Sequence, residues 1–343
     1  MTSSSPAAAQ APPAEPTASE LAEGTIEVDN DADSSYSSGL THVTDSTSLR
    51  SSILSYKWEN GRRYHAFEDG AYWGPNDDRQ QDAEDLMHEM YRIVLDGRLY
   101  EAPIGDNVQS VLDVGCGTGI WAINFADQHP SAEVIGVDLS PIQPNFVPPN
   151  CRFEVDDINK DWTYPENKFD FVHVRAMTGC IPDWTEFYKK AFKHLKPGGW
   201  VEHVELWGIA KSDDGSLKED SPYRKWVEVF EKIGAALGKP FFLADKDADF
   251  IRAAGFTGVV ERRIKMPIGP WPKDKRLKNW GLWNRQFLLE GLEGFSIRGL
   301  TGLLGWTYEE AQVFLVEVRN ELKNTSVHAY GDLTVIYGQK PKE

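Results

Sequence analysis

The chain has 343 residues, enough for one large domain with insertions or two small ones, and a formal net charge of −17 from 36 basic and 53 acidic side chains. Such a charge repels phosphate backbones and argues against bulk binding of DNA or RNA. No apolar run is long enough to span a bilayer, no leader-like segment is present, and the three cysteines show no paired spacing. These features predict an intracellular protein of the cytoplasm, the nucleus or both, without membrane contact, disulfides or a metal site.

The first predicted element is a tail. Residues 1–52 are rich in Ala, Pro, Ser, Thr and acidic side chains and have few large apolar groups, so we expect them to be disordered. A single folded domain is then predicted over residues 53–343. Its first helix is predicted over residues 77–96, where apolar residues recur at helical spacing and Gly97 follows as a stop.

From Ser110 onward, short apolar strands alternate with helical stretches. Strands are predicted near 110–114, 133–137, 151–155, 169–174, 200–206, 258–264 and 332–337, and helices near 119–128, 183–195 and 221–237. Residues 196–199, Lys-Pro-Gly-Gly, are predicted to turn the chain into the fifth strand. The alternation predicts a doubly wound α/β fold with seven strands, mostly parallel, preceded by an N-terminal helical extension.

The segment before the last strand, residues 266–328, is too long for a structureless connection and rich in Trp and Phe. We predict a helical insertion, with Thr307 and Glu310 capping one of its helices. Its aromatic side chains suit the wall of a substrate pocket under a lid, and they suit ordinary core packing equally well.

The strongest motif follows the first strand of the sheet. Asp113 ends the strand, and the next residues form a glycine turn with room for close approach of a ligand: Gly115, Cys116, Gly117, Thr118 and Gly119. Dinucleotide-binding proteins place the third glycine one position later, where this chain has Ile120. The spacing is instead that of class I methyltransferases, which bind S-adenosyl-L-methionine. A dehydrogenase is the remaining alternative.

Three further strand ends support this interpretation. The second strand ends at Asp138, followed by Leu139, where a carboxylate can accept hydrogen bonds from a ribose diol. The third ends before Asp157 and Ile158, which we assign to the adenine of the cofactor. The fourth ends at Arg175, which we expect to border the methionine part.

The sequence also resembles a known family. The segments that carry the resemblance are residues 60–65 (Asn-Gly-Arg-Arg-Tyr-His), 112–122 around the glycine turn, 136–144 (Gly-Val-Asp-Leu-Ser-Pro-Ile-Gln-Pro) and 327–330 (Val-His-Ala-Tyr). They are similar to the LaeA-like methyltransferases of filamentous fungi, and the resemblance runs from about Tyr56 to the C-terminus. It implies a role in secondary metabolism, either by methylating small molecules or through nuclear complexes with velvet-type regulatory proteins.

Methyl transfer requires mainly that acceptor and methyl group are held in line, so no fixed catalytic triad is expected. Tyr64 and His65 are the candidate catalytic residues, because the resemblance marks their segment and an imidazole can act as a base near neutral pH. The alternative is that both residues only pack the N-terminal segment over the sheet. His173 and His203 lie within predicted strands, where core positions are the commoner outcome.

Two functions remain open from the sequence. The first is an enzyme that transfers a methyl group to a small molecule or a protein. The complete cofactor motif favours this function. The second is a regulatory subunit that binds the cofactor with little or no catalysis and serves a velvet-type partner.

Overall fold

The structure, a computed structural model, describes residues 53–243 and 246–343. The predicted disorder of residues 1–52 falls outside this range. The first elements are a hairpin of β1 (Lys57–Glu59) and β2 (Arg62–Tyr64), then helix α1 (Asp78–Val94), which confirms the helix predicted over 77–96. The Asp77 side chain caps α1 by accepting from the Gln80 amide. The hairpin was not predicted, although residues 60 and 61, Asn-Gly, both with positive φ, are its usual turn signal.

The central sheet has seven strands in the order β5-β4-β3-β6-β7-β9-β8. They are β3 (Ser110–Val114), β4 (Glu133–Asp138), β5 (Cys151–Val155), β6 (Phe169–Arg175), β7 (Leu195–Lys211), β8 (Thr257–Pro267) and β9 (Tyr330–Gln339). The first five in this order are parallel, and β9 runs antiparallel to both β7 and β8. This confirms the predicted seven-stranded, mostly parallel α/β fold.

One boundary prediction was wrong. Residues 196–199 do not form a separate turn, because β7 begins at Leu195, directly after the preceding helix. The register with β6 shifts between Phe169 and Phe171. Gly198, at φ +82°, donates its amide to the carbonyl of Lys340, the residue that follows β9. A register irregularity therefore absorbs the Lys-Pro-Gly-Gly sequence within the strand.

Helices cover both faces of the sheet, because successive strand residues point to opposite sides. On β3, Val111 packs with α2 (Ile120–Gln128), whereas Leu112 packs with α3 (Trp184–His194). The helix predicted over 221–237 is α4 (Pro222–Leu237), and the short α5 (Asp247–Ala253) was not predicted. The observed layers are those of a doubly wound fold.

The segment between β8 and β9 is helical, as predicted. Helix α6 (Lys275–Arg298) continues into a π-helix (Gly299–Leu303), and α7 (Tyr308–Lys323) begins with a reciprocal capping box between Thr307 and Glu310. These helices share one apolar core with α1, α4 and the β7–β9 side of the sheet. Within the described ranges, no helix is long and apolar enough to cross a membrane.

Candidate functional site

A cavity of about 230 Å³ opens at the carboxyl edge of the sheet. In the sheet, β4 lies on one side of β3 and β6 lies on the other, so the strand order reverses at β3. Open α/β sheets bind ligands at the carboxyl edge next to such a topological switch point. The residues after β3, β4 and β6 form its floor, together with the carboxyl half of β7. Helices α1, α4 and α6 supply the facing walls.

The glycine turn after β3 is held by the neighbouring strand. The amides of Gly115 and Cys116 donate to the carbonyl of Val137 at 2.9 and 3.0 Å. Gly115 and Gly117 have φ of 68° and 55°, and a β-carbon on Gly115 would lie 2.2 Å from the Met177 sulfur. Side chains are therefore excluded at this position both by the backbone conformation and by the neighbouring residue.

Asp138, at the end of β4, faces the cavity beside this turn. Its Oδ2 accepts from the Gly117 amide at 2.9 Å and its Oδ1 from the Ser140 amide at 2.8 Å. Burial raises the pKa of Asp138 to about 6, while these two backbone donors act in the opposite direction. Each carboxylate oxygen has a second lone pair, so the group can still accept the hydrogen bonds of a diol.

Helix α1 brings two carboxyl groups against the turn. Asp85 Oδ1 accepts from the Thr118 hydroxyl at 2.7 Å, and Glu84 Oε2 lies 2.7 Å from the point where a β-carbon on Gly117 would be. Burial, followed by repulsion from the nearby Asp138, raises the pKa of Glu84 to about 8. The turn therefore carries acidic groups where a dinucleotide cofactor would place its pyrophosphate.

Arg175 reaches the cavity from the end of β6. Its guanidinium donates to His88 Nδ1 at 3.1 Å and lies over the Tyr91 ring, 5.3 Å from its centroid. Among the described residues, no carboxylate forms an ion pair with Arg175. Burial lowers the pKa of His88 to about 2, so its ring is neutral and can accept this hydrogen bond. The cavity therefore contains a guanidinium without an ion-paired carboxylate among the described residues, although Asp113, Glu84 and Asp85 are near enough to raise its pKa against the larger lowering by burial.

Apolar side chains flank the opposite end of the cavity, beyond Asp138. They are Leu139, Ile142 and Ile158. The acidic residue at this end is Asp156 rather than the predicted Asp157. Asp157 instead accepts from the Asn159 amide at 3.0 Å and so caps its own turn. This end of the cavity therefore combines apolar side chains with one carboxylate, a set of groups that suits a purine.

Most of the predicted cofactor residues are brought together in this cavity. Its lining includes Gly115, Cys116, Gly117, Thr118, Asp138, Leu139, Ile158 and Arg175. Asp113 and Gly119 do not reach the wall. Asp113 Oδ1 is 2.8 Å from Nδ1 of the buried His173, and Gly119 packs its α-carbon against the ring of Phe153 as the N-terminal cap of α2. Both residues therefore support the turn without lining the cavity.

Tyr64 and His65 do not line the cavity. His65 is fully buried, and its Nδ1 lies 2.6 Å from the Phe67 carbonyl while its Nε2 accepts from the Tyr72 amide at 3.3 Å. Burial lowers the pKa of His65, and the Tyr64 ring lies under the Arg298 guanidinium. The geometry favours the alternative that these residues pack the N-terminal segment, although His65 does fix the backbone of Tyr72, which is a wall residue.

Besides Asp156, two acidic wall residues were not predicted from the sequence, Glu84 and Glu205. Glu84 had a usable signal, because it belongs to a cavity-facing row of α1 at helical spacing: Gln80, Glu84, Met87 and Tyr91. Glu205 lies on β7, two residues after His203 and therefore on the same face. A glutamate within a largely apolar strand segment was its only sequence signal, and Glu202 of the same strand has this signal without lining the cavity.

Comparison of the sequence with known proteins assigns the chain to a class of enzymes. A family profile described as a methyltransferase domain matches residues 86–304. The methyltransferase pytC of Aspergillus terreus is 41% identical over 317 residues, which cover 92% of this chain and 96% of pytC. The doubly wound sheet and its glycine turn are therefore those of a methyltransferase.

Two further relatives make the family more specific. The secondary metabolism regulator LAE1 of Cochliobolus heterostrophus is 38% identical, covering 83% of this chain and 95% of LAE1. The protein-methionine methyltransferase laeA of Emericella nidulans is 34% identical, covering 82% of this chain and 76% of laeA. The chain belongs to the methyltransferase family that contains these LaeA-like proteins, which confirms the resemblance inferred from its motifs.

Proposed function

We propose that the chain is an S-adenosyl-L-methionine-dependent methyltransferase whose cofactor binds in the cavity at the carboxyl edge of the sheet. The observation that carries this proposal is the pair of α1 carboxyl groups, Glu84 and Asp85, placed against the glycine turn. In their ionised forms these groups repel a pyrophosphate and attract a cation. S-adenosyl-L-methionine has no phosphate and carries a sulfonium and an ammonium group, whereas NAD has a pyrophosphate. The same placement argues against the dehydrogenase alternative.

The residues of the cavity fit this cofactor part by part. Asp138 would accept the two ribose hydroxyls, and the apolar side chains of Leu139 and Ile158 would hold the adenine, with Asp156 at the rim. The guanidinium of Arg175 would bind the carboxylate of the methionine part as a charge-assisted hydrogen bond. When bound, the cofactor supplies an electrophilic methyl group for in-line displacement.

The acceptor would occupy the part of the cavity that continues past Arg175 toward α4 and α6. We infer that residues 53–343 form the catalytic unit, with the segment 266–328 as the cover of this acceptor chamber. The names of the relatives support a role in fungal secondary metabolism, in biosynthesis or in its regulation. A velvet-type partner, and a site of action in the cytoplasm or nucleus, would be consistent with the regulator names.

The ribose assignment can be tested by substituting Asp138. Asp138→Ala removes both acceptor oxygens, and we expect the affinity for S-adenosyl-L-methionine to fall roughly tenfold to a hundredfold, about 1.4 to 2.8 kcal/mol, in isothermal titration calorimetry. Asp170→Ala is the matched control. The Asp170 carboxylate also accepts two backbone amides, of Gln109 and Ser110, at 3.0 and 2.9 Å, but at the other edge of the sheet.

The control variant should bind the cofactor like the parent protein. Unchanged affinity in Asp138→Ala with native circular dichroism would contradict the ribose assignment. Binding of NAD in place of S-adenosyl-L-methionine by the parent protein would contradict the proposed function itself.

A further inference from the structure

The far half of the cavity is an aromatic chamber. Its rings include Tyr72, Trp73, Tyr91, Phe230, Phe241 and Phe295. Trp73 is at the centre of this group, with ring centroids 5.2 Å from Phe241 and 6.2 Å from both Phe230 and Phe295. Such walls bind flat apolar molecules through buried area and ring contacts.

The carboxylate of Glu205 lies in the wall of this chamber. Glu205 is only 3% exposed, and it lies on β7, the strand next to β6. Val204 pairs with Arg175, and the Ala176 amide donates to the Val204 carbonyl at 3.1 Å, so Glu205 is level with the loop that follows β6. Burial is the main cause of the raised pKa of the Tyr91 hydroxyl, followed by Glu205, whereas at Tyr72 burial is followed by Glu84 and Glu205 contributes less.

The sheet order places Glu205 at the acceptor end. Three strand spacings separate β4, which carries Asp138, from β7, and at about 4.8 Å per spacing this is roughly 14 Å. If the ribose binds at Asp138 and the methionine carboxylate at Arg175, the cofactor spans β4, β3 and β6. The next strand along this direction is β7. Glu205 is therefore the first carboxylate beyond the methyl-donating part of the cofactor.

The hydrogen bonding of Glu205 leaves it able to accept from a ligand. Its Oε2 is 3.4 Å from His203 Nε2, and His203 Nδ1 is 2.8 Å from the Tyr188 hydroxyl. The His203 ring also stacks on Trp184, with centroids 4.6 Å apart, so it holds the carboxylate in place. Over residues 53–243 and 246–343, no lysine or arginine forms an ion pair with Glu205. A buried carboxylate without a cation is costly unless further donors reach it.

We propose that Glu205 is the catalytic base of this chamber, and that the acceptor is a flat apolar small molecule offering one O–H or N–H group to it. This inference rests on the proposed function. The heteroatom lone pair forms the new bond to the methyl carbon while the carbon–sulfur bond breaks, with its electron pair going to sulfur. The acceptor proton passes to Glu205, and the products are the methylated acceptor and S-adenosyl-L-homocysteine. A thioether acceptor has no such proton and would make no use of this carboxylate.

A matched pair of probes tests the recognition step. The probes are 2-naphthol, which offers an O–H donor, and 2-methoxynaphthalene, in which that donor is replaced by a methyl ether. With the protein saturated with S-adenosyl-L-homocysteine, calorimetry should show 2-naphthol binding about tenfold more tightly, since a hydrogen bond to a charged group is worth about 1.5 kcal/mol or more. Glu205→Leu should abolish this preference while retaining binding of the ether.

A second readout tests the chemical step. The reaction of methyl-labelled S-adenosyl-L-methionine with 2-naphthol gives labelled 2-methoxynaphthalene as its product. Glu205→Gln should lower kcat for this reaction about a hundredfold, because a general base contributes about a hundredfold to the rate. The KM for 2-naphthol should change by less than tenfold. Glu202→Gln is the matched control. Glu202 is a buried glutamate of the same strand, but it accepts the backbone amides of Glu101 and Ala102 on the other face.

The control variant should retain both the binding preference and the rate. The inference is overturned if the parent protein binds cofactor but neither probe, if the two probes bind equally, if 2-naphthol is not methylated, or if Glu205→Gln keeps the parental rate. Failure to bind S-adenosyl-L-methionine at all would instead overturn the proposed function.

Discussion

Two carboxyl groups, those of Asp138 and Glu84, meet at the glycine turn from opposite sides of the cavity. Asp138 arrives on a strand and is partly stabilised by two backbone amides, whereas Glu84 arrives on α1 with only a 3.5 Å contact from the Gln80 amide group. This difference explains why burial raises the pKa of Glu84 to about 8 but that of Asp138 only to about 6. A bound cation at the turn would hold both groups in their ionised forms.

This arrangement predicts a pH-dependent affinity for S-adenosyl-L-methionine. Glu84 is protonated in the free protein at pH 6.5 and must lose this proton to pair with a cation, so cofactor affinity should rise from pH 6.5 to 8, by roughly tenfold. The groups facing Glu84 are Gln80, Asp85, Asp138 and Arg175. Calorimetry across this range, with proton release measured in two buffers, checks the prediction.

Glu84→Gln should remove most of the pH dependence, and Glu202→Gln should not. Glu202 is a fair control because burial also raises its pKa to about 8, but outside the cavity. The same shift affects stability with a defined sign. A carboxyl whose folded pKa lies above its unfolded value favours the folded state at low pH, and this contribution is lost as the pH rises from about 4.5 to 8. A flat affinity profile in the parent protein would contradict the role of Glu84.

Single residues were predictable from the sequence where a strand end fixes their position. Asp138 and Arg175 end parallel strands, whose carboxyl ends must meet at one edge of the sheet. Asp157 shows the limit of this argument, because the first turn after β5 decides which of two adjacent aspartates faces the cavity. Glu205 was beyond it, since the sequence does not show that the cavity extends past β6 to the carboxyl half of β7.

At the scale of elements, the turn between β3 and α2 is the most constrained part of the site. Gly119 begins α2 in the left-handed region, at φ +80°, and a β-carbon there would lie 2.3 Å from the Phe153 ring. The ring comes from β5, the edge strand on the other side of β4. The third glycine of the motif is thus required for packing of the turn against the sheet.

Substitution of Gly119 by alanine separates the two reasons for a glycine at this position, which are its left-handed backbone conformation and the close approach of the Phe153 ring. Gly119→Ala should destabilise the protein by more than the roughly 1 to 2 kcal/mol of left-handed strain alone, because the Phe153 ring must also move. Gly105→Ala is the matched control, since Gly105 has a similar φ of +74° with nothing within 4 Å of the added carbon. Urea unfolding gives the free energies. Equal losses in the two variants would contradict the packing role of Gly119.

The elements themselves could be predicted wherever periodicity and caps agreed. Helices α1, α4 and α7 begin near the predicted residues because Asp77, Ser221 and Thr307 cap them. The β1–β2 hairpin and α5 are short and have weak apolar periodicity, so the sequence did not predict them. The length of β7 depends on pairing with β9, a strand that lies more than a hundred residues later in the chain.

At the scale of the whole molecule, the cavity joins two parts of the chain that differ in how far the sequence predicted them. The part that we assign to the cofactor is built from motifs near the start of the sheet, and most of its predicted residues line the cavity. The acceptor half depends on the helical insertion, whose aromatic residues the sequence assigned equally to a pocket wall and to a core. The structure shows both outcomes, because Phe287 and Phe295 line the cavity while Trp280 packs in the core.

The extent of the cavity distinguishes an enzyme from a regulatory subunit that only binds the cofactor. A binding subunit needs only the part of the cavity that we assign to the cofactor, whereas this chain also encloses an aromatic chamber with the buried carboxylate of Glu205 in its wall. The complete cavity therefore favours catalysis, and the regulator names of several relatives are compatible with an enzyme that acts on a small molecule.

The most direct test is transfer of a labelled methyl group by the full chain. The protein is incubated with methyl-labelled S-adenosyl-L-methionine and an extract of a filamentous fungus, and the label is then followed in the solvent-extractable and the protein fractions. Our account predicts label in an extractable small molecule with the parent protein, and about a hundredfold less with Glu205→Gln. Tight cofactor binding without label in either fraction would contradict it and would identify the chain as a non-catalytic, cofactor-binding subunit.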